Sequence, residues 1–392
     1  VGFESKVHCS QLNLVFMEVV VTGIGLSSAL GNLTKTWKRL LSGESALYRR
    51  QPFVELVPRP LGLIADHPSN LLTITHQIVA DAMIDAGLTL PLNDCGVVVG
   101  SSRAQQAQWE TLAKQLQTTP DDLDLTHWLE TLPHAAAIAT ARYLGTEETV
   151  LAPMAACATG LWAIAQAWIL LQTGQCQRVI AGAVEAPITP LTLTGFQQMG
   201  ALAETGVYPF DRHRQGLALG EGGAVLVLET AELAKQRSAK VYGRVLGFGL
   251  TADGYHVSAP DPVGWSAISA VKHCLDRSCL EMHDIDYIHA HGTATQLNDR
   301  NEARLIQHLF PAGVPVSSTK GATGHTIGAS GAIGAAFCLM ALEQQQLPPC
   351  IGLQQPEFEL DLITAPRSVT VRHSLCFSFG FGGQNAVVAF GS

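Results

Sequence analysis

What most constrains the folding of this 392-residue chain is that its second half starts over. The stretch VYGRVLGFG at 241–249 parallels the β-branched run at 19–25, and 286–289 parallels 95–99 as a strand after a helix. Further on, CATGLWAIAQAWILLQTGQ at 157–175 lines up with 321–346 through a shared Ala-Thr-Gly and the apolar helix behind it. EGGAVLVLE at 221–229 lines up with GGQNAVVAF at 382–390. A period near half the chain marks a duplication, since solenoid repeats run about 20–50 residues. Two similar α/β halves would pack face to face and place chemistry at their junction, where strand ends from both meet.

Local signals fill in the elements. Residues 19–22 read as a buried strand ending at Gly23 and Gly25, with further strands at 97–99, 178–184 and 221–229. Helices are expected at 34–42, stopped by Gly43, and at 71–86, capped by Gly87. The polar region at about 101–150 reads as an inserted helical cap. The halves are then 18–238, carrying a candidate nucleophile, and 239–392. Residues 1–17 are expected to be a disordered extension, and 1–16 lack the basic-then-apolar pattern of a signal peptide.

Composition narrows the function. With 47% hydrophobic residues, 15% charged and 37 glycines, the chain fits a large α/β core with many tight turns. A net charge of −9 argues against binding nucleic acid or an anionic membrane, which need a basic surface. The nine cysteines are scattered singly, with no Cys-x-x-Cys, which predicts reduced thiols in a cytoplasmic protein and no zinc site. The apolar runs at 161–171 and 332–342 are too short to span a membrane.

Four segments carry candidate chemistry. In AACATGLWAIA at 155–165, Cys157 sits at the mouth of an apolar helix among alanines that leave room above the sulfur. The helix dipole there should favour thiolate, although a small buried cysteine is also a good core residue. In HAHGTATQLND at 289–299, a strand ends at His291 and opens into a small-residue loop. SSTKGATGHTIGASG at 317–331 sets Lys320 five residues before His325, without P-loop spacing. FSFGFGGQNA at 377–386 is a glycine loop holding Phe379 and Phe381.

Taken together and in this order, these segments resemble the β-ketoacyl-acyl-carrier-protein synthases, the elongating ketosynthases of the thiolase superfamily. VVVTGIGLSSALGN at 19–32, PFDRHRQGLALGEGGAVLVLE at 209–229 and DGYHVSAPDP at 253–262 support the resemblance, which covers nearly all of 18–392. It implies a thiolase-like α/β fold, duplicated and five-layered (α-β-α-β-α). The family's Cys-His-His signature and its lysine fall on Cys157, His291, His325 and Lys320. Cys157 would take an acyl group, and the two histidines would stabilise the enolate left when a malonyl group loses CO2. Lys320 would set the charge and orientation of His325. The backbone N–H groups of Cys157 and Phe381 would form the oxyanion hole. Phe381 would gate the acyl chain, Thr293 and Thr295 would bond a phosphopantetheine arm, and Phe196 and Phe379 would contact substrate. Trp162 and Ile164 are further candidates for an acyl tunnel.

The resemblance implies no metal and no cofactor beyond the phosphopantetheine that arrives on the carrier. Its partners would be acyl carrier protein and malonyl-carrier protein, and its assembly a homodimer. Three departures stand out. Gly334 replaces a glutamate that pairs with the lysine in relatives, and the stretch PLGLIADHPSNLLTITH at 60–76 has no Lys or Arg where relatives carry a basic segment. The 101–150 region is unusual in composition, so the cap over the acyl pocket and the dimer contact are expected to be remodelled. Arg49, Arg50, Arg59, Lys114, Arg212 and Arg214 are other possible contacts for an acidic carrier. A specialised polyketide or lipid ketosynthase is the alternative activity. A non-condensing chain-length subunit is disfavoured by Cys157, and a degradative thiolase by the lack of a second catalytic cysteine.

Overall fold

The computed structural model describes residues 17–119, 125–126 and 128–392; the expected N-terminal extension falls outside them, apart from Met17. One large mixed sheet runs through the molecule, and its strand order repeats. In the first half the strands are Val19–Ser28, Cys95–Gly100, Val150–Leu151, Arg178–Glu185 and Gly222–Thr230. Their spatial order is first, fifth, fourth, second, third. Gly243–Ala252, Tyr287–His289, Pro315–Ser317, His373–Gly380 and Gln384–Gly391 follow the same order, with Asp361–Leu362 added at the edge. Strand senses match as well. The first three strands of each row pair antiparallel and the rest parallel. The two rows join where Val20 and Val21 pair with Arg244 and Gly243.

Helices complete the five layers. Thr159–Gln172 and Ser330–Gln344 lie between the two rows, packed on each other and on Arg178–Glu185 and His373–Gly380 respectively. Leu71–Asp85 and Trp265–Ser278 cover the outer faces. The first outer helix starts where Asn70 accepts from the amides of Leu72 and Thr73, and Gly87 follows its end at φ +64°.

The inner helices correct one alignment. The second helix begins at Ser330, so Ala329-Ser330-Gly331 matches Ala158-Thr159-Gly160 in position. The Ala-Thr-Gly at 322–324 belongs to a separate turn leading to His325. The crossing is reciprocal. A Cβ on Gly160 would lie 2.5 Å from the Ala332 nitrogen, and one on Gly331 would lie 2.8 Å from Leu161 Cγ. Small residues here let the helix starts touch, which a side chain would prevent.

Glycine also overturns a predicted strand end. The first strand runs on through Gly23 and Gly25 to Ser28, with a bulge between Val21 and Gly23. These glycines admit the outer helix: a Cβ on Gly25 would sit 1.9 Å from the Ile78 carbonyl oxygen. The cap region holds helices Gln106–Thr118 and Ala135–Leu144, and its end joins the sheet as the edge strand Val150–Leu151.

Two further expectations change. A 3₁₀ turn extends the second inner helix into one run, Ile327–Gln344, whose 18 residues match a membrane span in length and apolarity. It is wedged between the sheet rows as a core helix. Seven described cysteines are free, but Cys279 is disulfide-bonded.

Gly25→Ala should destabilise the fold by about 3 kcal/mol, because the outer helix must move off the sheet. Gly195→Ala, in a helix with open space around the added methyl, should fall within about 1 kcal/mol of wild type. Urea denaturation midpoints of the two variants give the comparison, and equal midpoints would contradict the close-approach argument.

Candidate active site

The sulfur is presented by a strained turn. Ala156 sits at φ +46°, a left-handed conformation that alanine rarely adopts, and the helix starts two residues after Cys157. Ser378 donates to the Cys157 carbonyl oxygen at 2.8 Å, tying the Cys157 turn to the last hairpin of the other half. The Phe381 amide points at the sulfur, and the Cys157 amide has no acceptor among the described residues.

The histidines arrive from the second half. His291 lies just past the strand Tyr287–His289, and His325 lies in the turn before the inner helix. Cys157 Sγ and one ring nitrogen from each histidine lie within 4.8 Å of one another, all buried. The two rings meet edge to face with centroids 5.3 Å apart. His325 Nδ1 and the Ser330 hydroxyl share a hydrogen bond of 2.7 Å, so Ser330 orients that ring. His291 Nδ1 is buried without a partner among the described residues.

Lys320 acts on a different group from the one expected. Its ammonium donates to the carbonyl oxygen of His291, while Ser330 holds His325. Its charge does reach both rings: burial and the nearby ammonium hold His291 and His325 well below the ordinary imidazole range. Both are therefore neutral near pH 7. The acid facing Lys320 is Glu302, whose carboxyl burial pushes up to about 7 and which accepts from the amides of His291 at 2.6 Å and Gly292 at 2.7 Å. Lys320 and Glu302 thus grip the backbone of His291 from its carbonyl and amide sides. Position 334 has no room for an acid, since a Cβ there would lie 2.7 Å from His289 Nδ1 and 2.8 Å from Cys376 Sγ.

The expected thiolate is also corrected. Burial pushes the Cys157 thiol up to about 11, against the opposing pull of Lys320, the Phe381 amide and Arg103. Desolvation outweighs the nearby positive charge, so the resting group is a neutral thiol.

A cavity of about 280 Å³ opens over the sulfur, and Phe196, Thr293, Thr295, His291, His325, Phe379 and Phe381 all line it. Phe196 and Phe381 stack with centroids 5.9 Å apart. The Thr293 and Thr295 hydroxyls share a 2.9 Å hydrogen bond, leaving each with capacity toward the cavity. Trp162 and Ile164 do not line it; both belong to the core around the inner helices. Arg214 is fully buried against Glu357 and Asp299, so it cannot meet a carrier at the surface.

Sequence reasoning missed Ser330, Asp299 and Glu302. Asp299 accepts from the Phe210 amide at 2.8 Å and the Ala294 amide at 3.1 Å, shaping the loop after His291. Both acids sit on the buried stripe of the helix Gln296–Leu309, together with Ala303 and Ile306. Acids three apart within an apolar stripe were a legible signal, because unpaired buried carboxylates are costly.

Known proteins resemble this chain in sequence and fold. Residues 69–234 match the Beta-ketoacyl synthase, N-terminal domain, and residues 242–354 match the Beta-ketoacyl synthase, C-terminal domain. The 3-oxoacyl-[acyl-carrier-protein] synthase 2 of Staphylococcus aureus is 33% identical over 95% of this chain and 98% of its own length. The enzyme of the same name from Mycobacterium tuberculosis is 32% identical over 96% and 97%. A structure of a type II polyketide acyl-carrier protein in complex with its ketosynthase superposes with a TM-score of 0.91 at 27% identity, over 96% of this chain and all of the matched one. The ishigamide ketosynthase/chain length factor superposes at 0.90, also at 27% identity, with the same coverage. The fold and its relatives define a thiolase-like condensing acyltransferase that carries no cofactor of its own. Within that class, the chain belongs to the β-ketoacyl synthase family.

Alkylation of Cys157 by iodoacetamide, read by mass spectrometry, should accelerate about tenfold per pH unit from pH 7 to 9 without levelling. The thiolate fraction grows as pH rises toward the raised value and vanishes as pH falls. Lys320→Met removes the main opposing charge and should slow alkylation at pH 8 roughly tenfold. A plateau below about pH 8 would contradict the burial argument.

Proposed function

We propose that the chain is a 3-oxoacyl-[acyl-carrier-protein] synthase extending an acyl thioester by two carbons. The observation that carries this reading is the approach of a sulfur from one half and two neutral imidazoles from the other to within 4.8 Å. We take those halves as 18–238 and 239–392, with about 101–150 as the cap. Cys157 attacks the acyl-carrier thioester as its proton passes to a neighbouring imidazole. The Cys157 and Phe381 amides stabilise the tetrahedral oxyanion. The carrier leaves as a thiol, taking that proton back. Malonyl-carrier protein then enters past Phe381, its phosphopantetheine arm bonded by Thr293 and Thr295.

Loss of CO2 leaves an electron pair as an enolate on the carrier thioester. Neutral His291 and His325 donate N–H bonds to its oxygen. A neutral imidazole suits this role, because it stabilises the anion without first protonating it. The enolate carbon attacks the acyl carbon, the Cys157 sulfur departs as a thiolate and takes a proton from solvent, and the chain leaves two carbons longer on the carrier. Lys320 and Glu302 are positioning residues that hold His291 by its backbone.

A second copy of the chain completes our assignment. The edge strand Val150–Leu151 ends the sheet with Leu151 and Met154 exposed. The helix Gln106–Thr118 buries no residue and leaves Trp109 and Leu116 in solvent. An apolar face beside an open sheet edge suits a symmetric partner. A structural neighbour favours a second reading, a polyketide ketosynthase paired with a sister chain, because the ishigamide structure joins a ketosynthase to a chain length factor. Arg49, Arg50 and Arg212 remain exposed for an acidic carrier, whereas Arg59 is partly buried beside Glu204. The buried free thiols support a cytoplasmic location, against which Cys279 counts.

Incubation with acyl-carrier protein should add one acyl mass at Cys157, and Cys157→Ser should abolish it. His291→Ala and His325→Ala should leave acyl loading measurable while cutting malonyl decarboxylation roughly a hundredfold or more. Wild-type protein that never acquires the acyl mass would overturn the assignment. Light scattering should report a dimer of the chain alone, and Met154→Glu should weaken it; a stable monomer would favour the sister-chain reading.

A further inference from the structure

Against Phe196, a residue of the cavity wall beside Cys157, lies a charge that condensation does not use and that does not itself line the cavity. Cys157 belongs to an apolar cluster with Ile188, Leu193, Phe196 and Ile327, with Phe381 packed against it. The histidines and threonines occupy the polar part of the same cavity. An acyl group on the sulfur therefore extends along the apolar cluster toward Phe196. The Arg103 guanidinium lies over the Phe196 ring, 5.7 Å from its centroid.

Arg103 is delivered there by topology. It follows the strand Cys95–Gly100 as His291 follows Tyr287–His289, and those strands hold equivalent places in the two halves. Its loop is pinned from below by buried Glu185, which accepts from the Ser101 hydroxyl at 3.0 Å, the Ser102 hydroxyl at 2.6 Å and the Arg103 amide at 3.3 Å. The guanidinium is half-buried, and no carboxylate or carbonyl among the described residues accepts from it. It is close enough to favour the Cys157 thiolate electrostatically.

We propose that Arg103 reads the far end of the acyl group on Cys157, selecting acyl chains with an oxygen function beyond the thioester over plain saturated ones. This deepens the proposed acyl transfer to Cys157 and rests on it. A saturated chain passing Phe196 must strip water from a guanidinium and give it no acceptor, which is unfavourable. A distal carbonyl, hydroxyl or carboxylate accepts from the planar fork and replaces that water. The aromatic stack holds the guanidinium in place before substrate arrives.

The test measures loading of Cys157 by intact-protein mass spectrometry, using hexanoyl, 5-oxohexanoyl and glutaryl thioesters of one carrier. Within the wild-type protein, an oxygenated chain should load roughly ten- to a hundredfold faster than hexanoyl, the range expected for a hydrogen bond to a charged group. Arg103→Met should bring that ratio close to one, and Arg103→Lys should restore part of it. Equal loading of all three chains by wild type, or a ratio unchanged in Arg103→Met, overturns the proposal while leaving acyl transfer intact. A variant that loses the dimer but keeps the wild-type ratio also overturns it, placing Arg103 at a subunit contact. Absence of loading by every chain, in wild type too, would instead overturn the underlying reading of Cys157.

Discussion

The structure depends on one contact, the crossing of two inner helices at Gly160 and Gly331. Because neither position carries a side chain, the helix starts meet backbone to backbone, and each glycine faces the residue after the other. That crossing brings the turn holding Cys157 beside the turn holding His325. Without it, a sulfur and an imidazole far apart in sequence would belong to separate halves. Close packing makes the arrangement rigid, since an interior this dense cannot slide continuously.

The second constraint is electrostatic. Every group at the junction is buried, so each is pushed toward its uncharged form: the thiol upward, both imidazoles downward. Burial acts the same way on Lys320 and Glu302, and both are spent on the backbone of His291. Glu302 accepts from the His291 and Gly292 amides and from Asn298, bonds that oppose the burial pushing its carboxyl upward. This pair leaves position 334 free to be glycine, and His289 and Cys376 close over that space.

Much of the site was legible in the residues. Cys157, His291, His325, Thr293, Thr295, Phe196, Phe379 and Phe381 all meet at one cavity, and each stands in a short stretch of distinctive small residues or glycines. Less was legible where one residue type serves two purposes. Gly23 and Gly25 looked like a strand end because glycine usually breaks strands, yet here it makes room for a helix. Arg214 looked like a surface cation and is fully buried, because Asp299 and Glu357 from distant segments neutralise it. Trp162 and Ile164 sit on the helix that follows Cys157 but face the core, a matter of helix rotation that apolar spacing alone could not resolve.

The sequence by itself determined that the chain is a duplicated α/β protein and which side chains gather at its cavity. Periodicity, glycine placement and residue type are local properties, and they survive without coordinates. Only the tertiary structure decided the protonation state of those groups, the partners of Lys320, and which Ala-Thr-Gly starts an inner helix. Those follow from burial and from contacts between distant segments. A desolvation cost depends on everything that surrounds a group, and no stretch of neighbouring residues contains it.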